Sequence, residues 1–242
     1  MNRGNAVRAA AAAGVVHYNS LDWPRGDAWI FTYGSLMWDP GFRHSAAEPA
    51  LLRGYHRSFC IESNRYRGTV EAPGLVLGLD PGGACRGIAY CIAAADCGEA
   101  LEALWQREMR RGVYWPRLLP VTTPRRRRIA LAFVANRGHE GYAGRLAMEV
   151  AAKRIAACCG ERGPNIDYLV NTLRHLEALG VQDHHLLRLM ARVRECVNPG
   201  PERVRDRLVN EAGQAAAAGG PKRAGSVVRT AGRGKSGLHR EG

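Results

Sequence analysis

A chain of 242 residues, 46% of them hydrophobic, can bury one sizeable core, and its longest apolar runs stop far short of the roughly 18 to 20 residues that cross a bilayer as a helix, so no membrane span is expected. Its seven cysteines, at 60, 85, 91, 97, 158, 159 and 196, are odd in number, scattered and without a C-x-x-C pair, which argues against a disulfide framework or a zinc site and for reduced thiols in a cytoplasmic setting. The net charge of +13 is concentrated: residues 107–128 hold eight Arg against the single Glu108, and residues 201–242 hold nine Lys or Arg against four acids. Charge placed in a turn and a tail is a solvated feature rather than a basic binding face, so nucleic acid is not expected as a partner.

Residues 1–26, with an Arg- and Ala-rich start and no convincing cleavage site, read as a flexible leader. The aromatic and β-branched run Trp29–Tyr33 predicts a strand, and Thr32-Tyr33-Gly34-Ser35-Leu36-Met37 a turn at its end. Such a turn lets backbone approach a ligand closely and can aim successive N–H groups into one concavity. Ser35 stands outside the G-x-S-x-G elbow of serine hydrolases. Further strands are predicted at Arg57–Ile61, Leu75–Leu79 and Gly87–Ile92, separated by Gly and Pro.

Asp96–Arg111 is the first predicted helix, and Asp96 with Glu99 has the form of a capping box. Within it Leu101, Leu104, Trp105 and Glu108 follow i, i+3, i+4, i+7 spacing, so the apolar stripe ends in a carboxylate. Burying an unpaired carboxylate costs several kcal/mol. By spacing alone, three readings of Glu108 stand side by side: an ion pair with adjacent Arg107, Arg110 or Arg111, a cavity edge, or a group kept for chemistry. Pro120–Pro124 and Arg125–Arg128 then form a solvated hairpin turn entering the strand Ile129–Val134. Helices follow at Gly144–Cys159, at Asn165–Leu179 with Asn165 as its start signal and Gly180 as its stop, and at Asp183–Cys196. Asp183, His184 and His185 read as the polar opening of that last helix in preference to metal ligands. Asn198-Pro199-Gly200-Pro201 ends the ordered part, and the Gly/Ala-rich tail 199–242 is too poor in large apolar residues to offset its ordering entropy. The expectation is one α+β domain over 27–198, with a mixed or antiparallel sheet and helices packed on it.

Several segments together resemble one family. They are Phe31–Trp38, Gly54–Cys60 (GYHRSFC), Tyr66-Arg67-Gly68-Thr69, Pro73–Leu79, Arg107-Glu108-Met109 with Gly112-Val113-Tyr114, and Asn165 with Tyr168-Leu169. In order and spacing they look like the ChaC-type γ-glutamylcyclotransferases over roughly residues 28–197. The resemblance implies a mixed sheet curled into a small barrel with flanking helices and the active cavity at one mouth. It implies glutathione as the substrate, converted to 5-oxoproline and cysteinylglycine without a metal or organic cofactor. It makes Glu108 the catalytic acid/base, and the loop Thr32, Tyr33, Gly34, Ser35, Leu36 and Met37 the holder of the γ-glutamyl group. Tyr168 matches a family tyrosine near the substrate, although a packed helix tyrosine fits it as well. Arg67 is suited to the glycine carboxylate of glutathione or to a structural ion pair. Tyr142 is similar to a recurrent family position with no assigned role.

Other readings carry distinct expectations. The chain could act on other γ-glutamyl compounds, use Ser35 as a hydrolytic nucleophile, or be a non-catalytic basic binding module. The oligomeric state is not readable from the chain.

Overall fold

The computed structural model describes residues 26–198, and the chain separates into two units, Met1–Asn198 and Pro199–Gly242. The fold is that of the first unit; the leader at 1–26, apart from Gly26, and the tail at 199–242 lie outside the described residues. Five strands close a barrel: β1 (Ala28–Thr32), β2 (Ala46–Ser63), β3 (Gly74–Ile92), β4 (Tyr114–Thr122) and β5 (Arg127–Ala135), in the order β1-β3-β2-β4-β5. Neighbours are antiparallel except at the closure, where β1 runs parallel to β5 and Ile30 faces Leu131. Among the described residues four helices follow or interrupt the strands: α1 (Cys97–Glu108), α2 (Met148–Ala157), α3 (Asn165–Ala178) and α4 (His184–Val197). A two-residue ribbon of β6 (Cys159–Gly160) and β7 (Gly163–Pro164) joins α2 to α3. The expected α+β class and barrel are found.

The two-residue period of a strand divides the core. Trp29 and Phe31 of β1, with Ala130, Ala132 and Val134 of β5, belong to the main cluster, which continues to α2, α3 and α4. Their alternates Ala28, Ile30, Leu131 and Phe133 pack instead with Leu101, Leu104 and Trp105 of α1. Both faces of β1 are therefore covered, and each large side chain so buried contributes about 1.5–3 kcal/mol. The stripe that continues to Glu108 is thus anchored in the core.

The structure corrects several sequence expectations. Leu75–Leu79 and Gly87–Ile92 are the two ends of one long strand, β3, which passes through Pro81, Gly82 and Gly83 opposite a bulge in β2 between Arg53 and Tyr55. Gly54, Gly82 and Gly83 take positive φ there, so the residues that read as punctuation form a bend within the ribbon. β4 was not expected at all because Pro116 and Pro120 lie in it. They are tolerated since β4, paired along its whole length with β5, meets β2 only through Val121 and Thr122, so its β2-facing edge needs no donor along most of its length. Asp96 forms no side-chain cap; it ends a 3-10 turn, Ala94–Asp96, that leads into α1. α1 stops at Glu108, and Gly112 at φ +69 completes the turn away from it. α2 begins four residues after Gly144.

Asn165 does not cap α3 with its side chain either. It is fully buried and clamps β3: the Leu75 amide donates to its Oδ1 at 2.7 Å, and its Nδ2 donates to the Leu75 carbonyl at 2.7 Å. Asp183 does cap α4, accepting from the Leu186 amide at 3.1 Å.

Candidate functional site

Glu108 is the last residue of α1, where the buried stripe meets a cavity. Its side chain is 15% exposed, and its Oε1 lies 3.3 Å from Nε of Arg107. Arg107 also donates to the Asp39 carbonyl at 2.7 Å and to the Ser35 hydroxyl at 3.2 Å, so one guanidinium ties the helix end to the turn after β1. Two opposed effects act on the carboxyl. Burial raises its pKa above the ordinary value; Arg107 and then Arg162 pull it down; burial is the larger. The ion-pair and cavity-edge readings of Glu108 are therefore both true.

The turn itself is a single 3-10 turn, Ser35–Met37, entered through Gly34. The amides of Met37, Trp38 and Asp39 return to the carbonyls of Gly34 and Ser35, so the donors at the start of the turn, on Ser35 and Leu36, are not consumed within it. Gly34 is required by proximity: a Cβ there would sit 2.8 Å from the Tyr168 hydroxyl. That hydroxyl lies against the backbone of Leu77 and Ser35, and burial pushes its pKa up to about 12.

Two more buried phenols complete the wall. Tyr33 donates to the Phe133 carbonyl at 2.7 Å, and Tyr114 to the Leu77 carbonyl at 2.9 Å. Burial raises both well above the usual phenol value, with the Glu108 charge adding to the effect. All three tyrosines thus remain neutral around the carboxyl.

The cavity has two chambers that share Ser35, Glu108, Tyr114 and Tyr168. The inner recess, about 30 Å³, is walled by Phe31, Tyr33, Gly34, Leu36, Leu77 and Phe133 and admits a group the size of a water. The outer chamber, about 180 Å³, carries the guanidinium groups of Arg67, Arg107, Arg110, Arg111 and Arg162 against Glu62 and Asp39. The inner part can exchange a proton in a nearly dry setting, and the outer part can attract carboxylates. A larger cavity, about 530 Å³, shares no residue with either chamber; the smaller one is the candidate site because it holds the carboxyl with the raised pKa.

Of the residues singled out from the sequence, Glu108, Tyr33, Gly34, Ser35, Leu36, Tyr168 and Arg67 line the chambers, and Thr32 and Met37 do not. Thr32 is buried in the barrel with Oγ1 donating to the Ile88 carbonyl at 3.1 Å, while Met37 is a core side chain whose carbonyl accepts from Tyr90 at 2.9 Å. Arg67 donates to the Pro164 carbonyl at 2.9 Å and lies 5.9 Å from the centre of the Tyr168 ring. Tyr142 is elsewhere, donating to Asp80 at 2.9 Å. Arg107, Tyr114 and Arg162 were not anticipated as wall residues. Tyr114 opens the strand hidden by its prolines, and Arg162 sits in the turn of a four-point ribbon too short to leave a period. Among the described residues no group of three or more His, Cys, Asp and Glu side chains could hold a metal ion, and no helix is long and apolar enough to cross a membrane.

Comparison with known proteins adds an independent line. The sequence pattern of ChaC-like proteins matches residues 28–196. The chain is 36% identical over 171 residues to the glutathione-specific gamma-glutamylcyclotransferase of Escherichia coli K12, covering 70% of this chain and 74% of that protein. It is 37% identical over 174 residues to glutathione-specific gamma-glutamylcyclotransferase 1 of Rattus norvegicus, covering 68% and 78%. The crystal structure of a yeast gamma-glutamyl cyclotransferase specific to glutathione superposes with a TM-score of 0.67 at 22% identity, over 72% of this chain and 98% of that one, which establishes the likeness of fold.

Proposed function

The chain belongs to the ChaC-like family, and from that premise we propose that it is a γ-glutamylcyclotransferase that converts glutathione to 5-oxoproline and cysteinylglycine, with Glu108 as the proton carrier. The observation that carries the reading is the position of Glu108: a carboxyl with a pKa raised by burial, facing a cavity whose inner end is phenolic and apolar and whose outer end is cationic.

The γ-glutamyl group holds its own nucleophile. Its α-ammonium is inert until a base removes one proton, and Glu108 in its ionised form takes it. The freed amine attacks the γ-carbonyl carbon, forming the C–N bond of a five-membered lactam and placing negative charge on the carbonyl oxygen. The Leu36 amide and the Tyr168 hydroxyl are the donors offered to that oxygen, while the Tyr33 and Tyr114 hydroxyls give their single protons to the Phe133 and Leu77 carbonyls and shape the wall. Collapse breaks the bond to the cysteinyl nitrogen, which receives the proton held by Glu108; the carboxylate so restored takes the second proton from the ring nitrogen and passes it to the departing amine, which leaves as an ammonium. Atoms and protons balance with no other reactant. Because ring closure is intramolecular, confinement of the chain in a narrow recess supplies much of the acceleration. The cationic outer chamber suits the carboxylate of the departing dipeptide, and the presence of Arg67 among its lining residues supports that group as the partner.

Ser35 is not favoured as a nucleophile, since its hydroxyl accepts from Arg107 and no histidine lines either chamber. The purified chain is to be incubated with glutathione, γ-glutamyl dipeptides and glutamine, and 5-oxoproline measured from each. Release from glutathione in preference to the others is expected. Release from the dipeptides alone would move the substrate class, and release from none would remove the activity.

A further inference from the structure

Arg107 stands beside the carboxyl that carries the proton, and all three nitrogens of its guanidinium are engaged. Nε faces Oε1 of Glu108 at 3.3 Å. Nη1 donates to the Asp39 carbonyl at 2.7 Å and lies 3.3 Å from Oδ2 of the same residue, and Nη2 donates to the Ser35 hydroxyl at 3.2 Å. These partners on the β1–β2 connection are 68 and 72 residues away in the chain. Gly41, at φ +72, lets that connection close over the guanidinium, since a Cβ there would sit 3.3 Å from Nη1.

Adjacent residues of a helix do not ordinarily face each other, so Arg107 reaches Glu108 only because Asp39 and Ser35 hold its fork across the end of α1. The other cations of the outer chamber are placed differently. Arg67 and Arg111 each give one nitrogen to a carbonyl, of Pro164 and Glu62, and Arg110 and Arg162 are exposed. Those four keep donors for a substrate carboxylate. A planar fork bound at every nitrogen has a fixed orientation and little left to offer a ligand.

We infer that Arg107 is a positioning residue for the cyclisation: its guanidinium fixes the Glu108 carboxylate relative to the turn that offers the Leu36 amide, so base and donor keep one geometry while the proton moves. This rests on the reading of Glu108 as the proton carrier. Asp39 completes the arrangement. When Glu108 takes the proton of the α-ammonium it loses its charge and its hold on Nε, and the carbonyl and carboxylate of Asp39 keep the fork in place until the proton is returned.

Two substitutions separate the charge of Arg107 from its shape: Arg107→Gln removes the charge, and Arg107→Lys keeps it without the fork. Carbon-13 NMR of the glutamate carboxyls in the full chain, with the Glu108 signal identified by its loss in Glu108→Gln, follows that titration without substrate. The groups around the carboxyl are Tyr33 from β1, Tyr114 from β4, Tyr168 from α3, Arg162 from the β6–β7 turn and Arg107 itself; the two arginines act against burial, Arg107 more than Arg162. Arg107→Gln is therefore expected to move the Glu108 midpoint to higher pH, and Arg107→Lys to move it less. With glutathione at a pH above the midpoint, both variants are expected to lose at least about tenfold in kcat, with KM within about threefold of the parent value. An unmoved midpoint in Arg107→Gln, full kcat in Arg107→Lys, or a KM that rises while kcat holds would each overturn the assignment, the last by making Arg107 a receptor for the substrate. A parent chain without 5-oxoproline release refutes the reaction itself, whereas turnover by the parent with an unmoved midpoint refutes the positioning alone.

Discussion

Glu108 and Arg57 are both charged side chains withdrawn from water, each at the wall of a different cavity, yet their surroundings differ. Glu108 ends a helix and is held 3.3 Å from Arg107; Arg57 sits within a strand, its nearest carboxylate is 3.9 Å away, and one of its nitrogens has no acceptor. A carboxyl in that position can shed its charge by taking a proton, and burial moves its titration toward the range where it does so. A guanidinium has no such exit. The same withdrawal from water therefore suits the one to carry a proton and leaves the other a permanent charge held by its neighbours Asp183, Cys85 and the Arg86 carbonyl.

The comparison can be broken most directly at Glu108. Glu108→Gln keeps the shape and removes the titration, so 5-oxoproline release from glutathione should fall by about 10² to 10⁴; a variant within tenfold of the parent rate would show that the proton moves by another route. A buried polar group whose demands are fully met provides the control. Asn165→Ala strips both partners from Leu75, and chemical denaturation should register a loss of about 2–4 kcal/mol. If stability is unchanged, the clamp is not holding β3.

Gly34→Ala narrows the distance between the turn and Tyr168 and should lower turnover by roughly ten- to a hundredfold, and the loss of Tm that accompanies it should be partly recovered when Tyr168→Phe is added. Absence of recovery would mean that the methyl group meets something other than the hydroxyl. The smallest effect concerns stability. Glu108 has a folded-state pKa raised above its unfolded value, so its contribution is fully present at low pH and is lost as pH rises through the raised value. Glu108→Gln should accordingly have the higher Tm at neutral pH, and the advantage should shrink on acidification. Turnover by the parent chain should rise with pH through a point above the ordinary carboxylate range. A parent chain more stable than the Gln variant at neutral pH would show that the Arg107 pair outweighs burial.

Much of this architecture is legible in local patterns. The stripe of α1, the aromatic run of β1, and the stop at Gly180 depend on residues a few positions apart, and their placement follows from the helical and strand periods. Local signals misled where one residue type serves two purposes. Pro81, Gly82 and Gly83 look like a chain break and are a bend inside β3, and the prolines of β4 look like a loop although the missing donors fall on an edge left largely unpaired. Asp96 and Asn165 have cap chemistry, yet Asp96 caps nothing and the side chain of Asn165 is taken by a strand ninety residues away.

The carboxylate at the end of an apolar stripe and the glycine-serine turn after a strand are properties of short segments, and the order of the chain alone announces them. Their meeting is not. Tyr33 reaches the carbonyl of Phe133 a hundred residues on, Arg107 reaches back 72 residues to Ser35, and Arg57 meets the start of α4 across more than half of the described chain. Such contacts form only when the barrel closes and a long loop entropy has been overcome, and no local period records which distant group will be there. Whether Glu108 would be a surface ion pair or a half-desolvated acid was decided by that closure, because the water it loses is displaced by residues from β1, β3, β4 and α3.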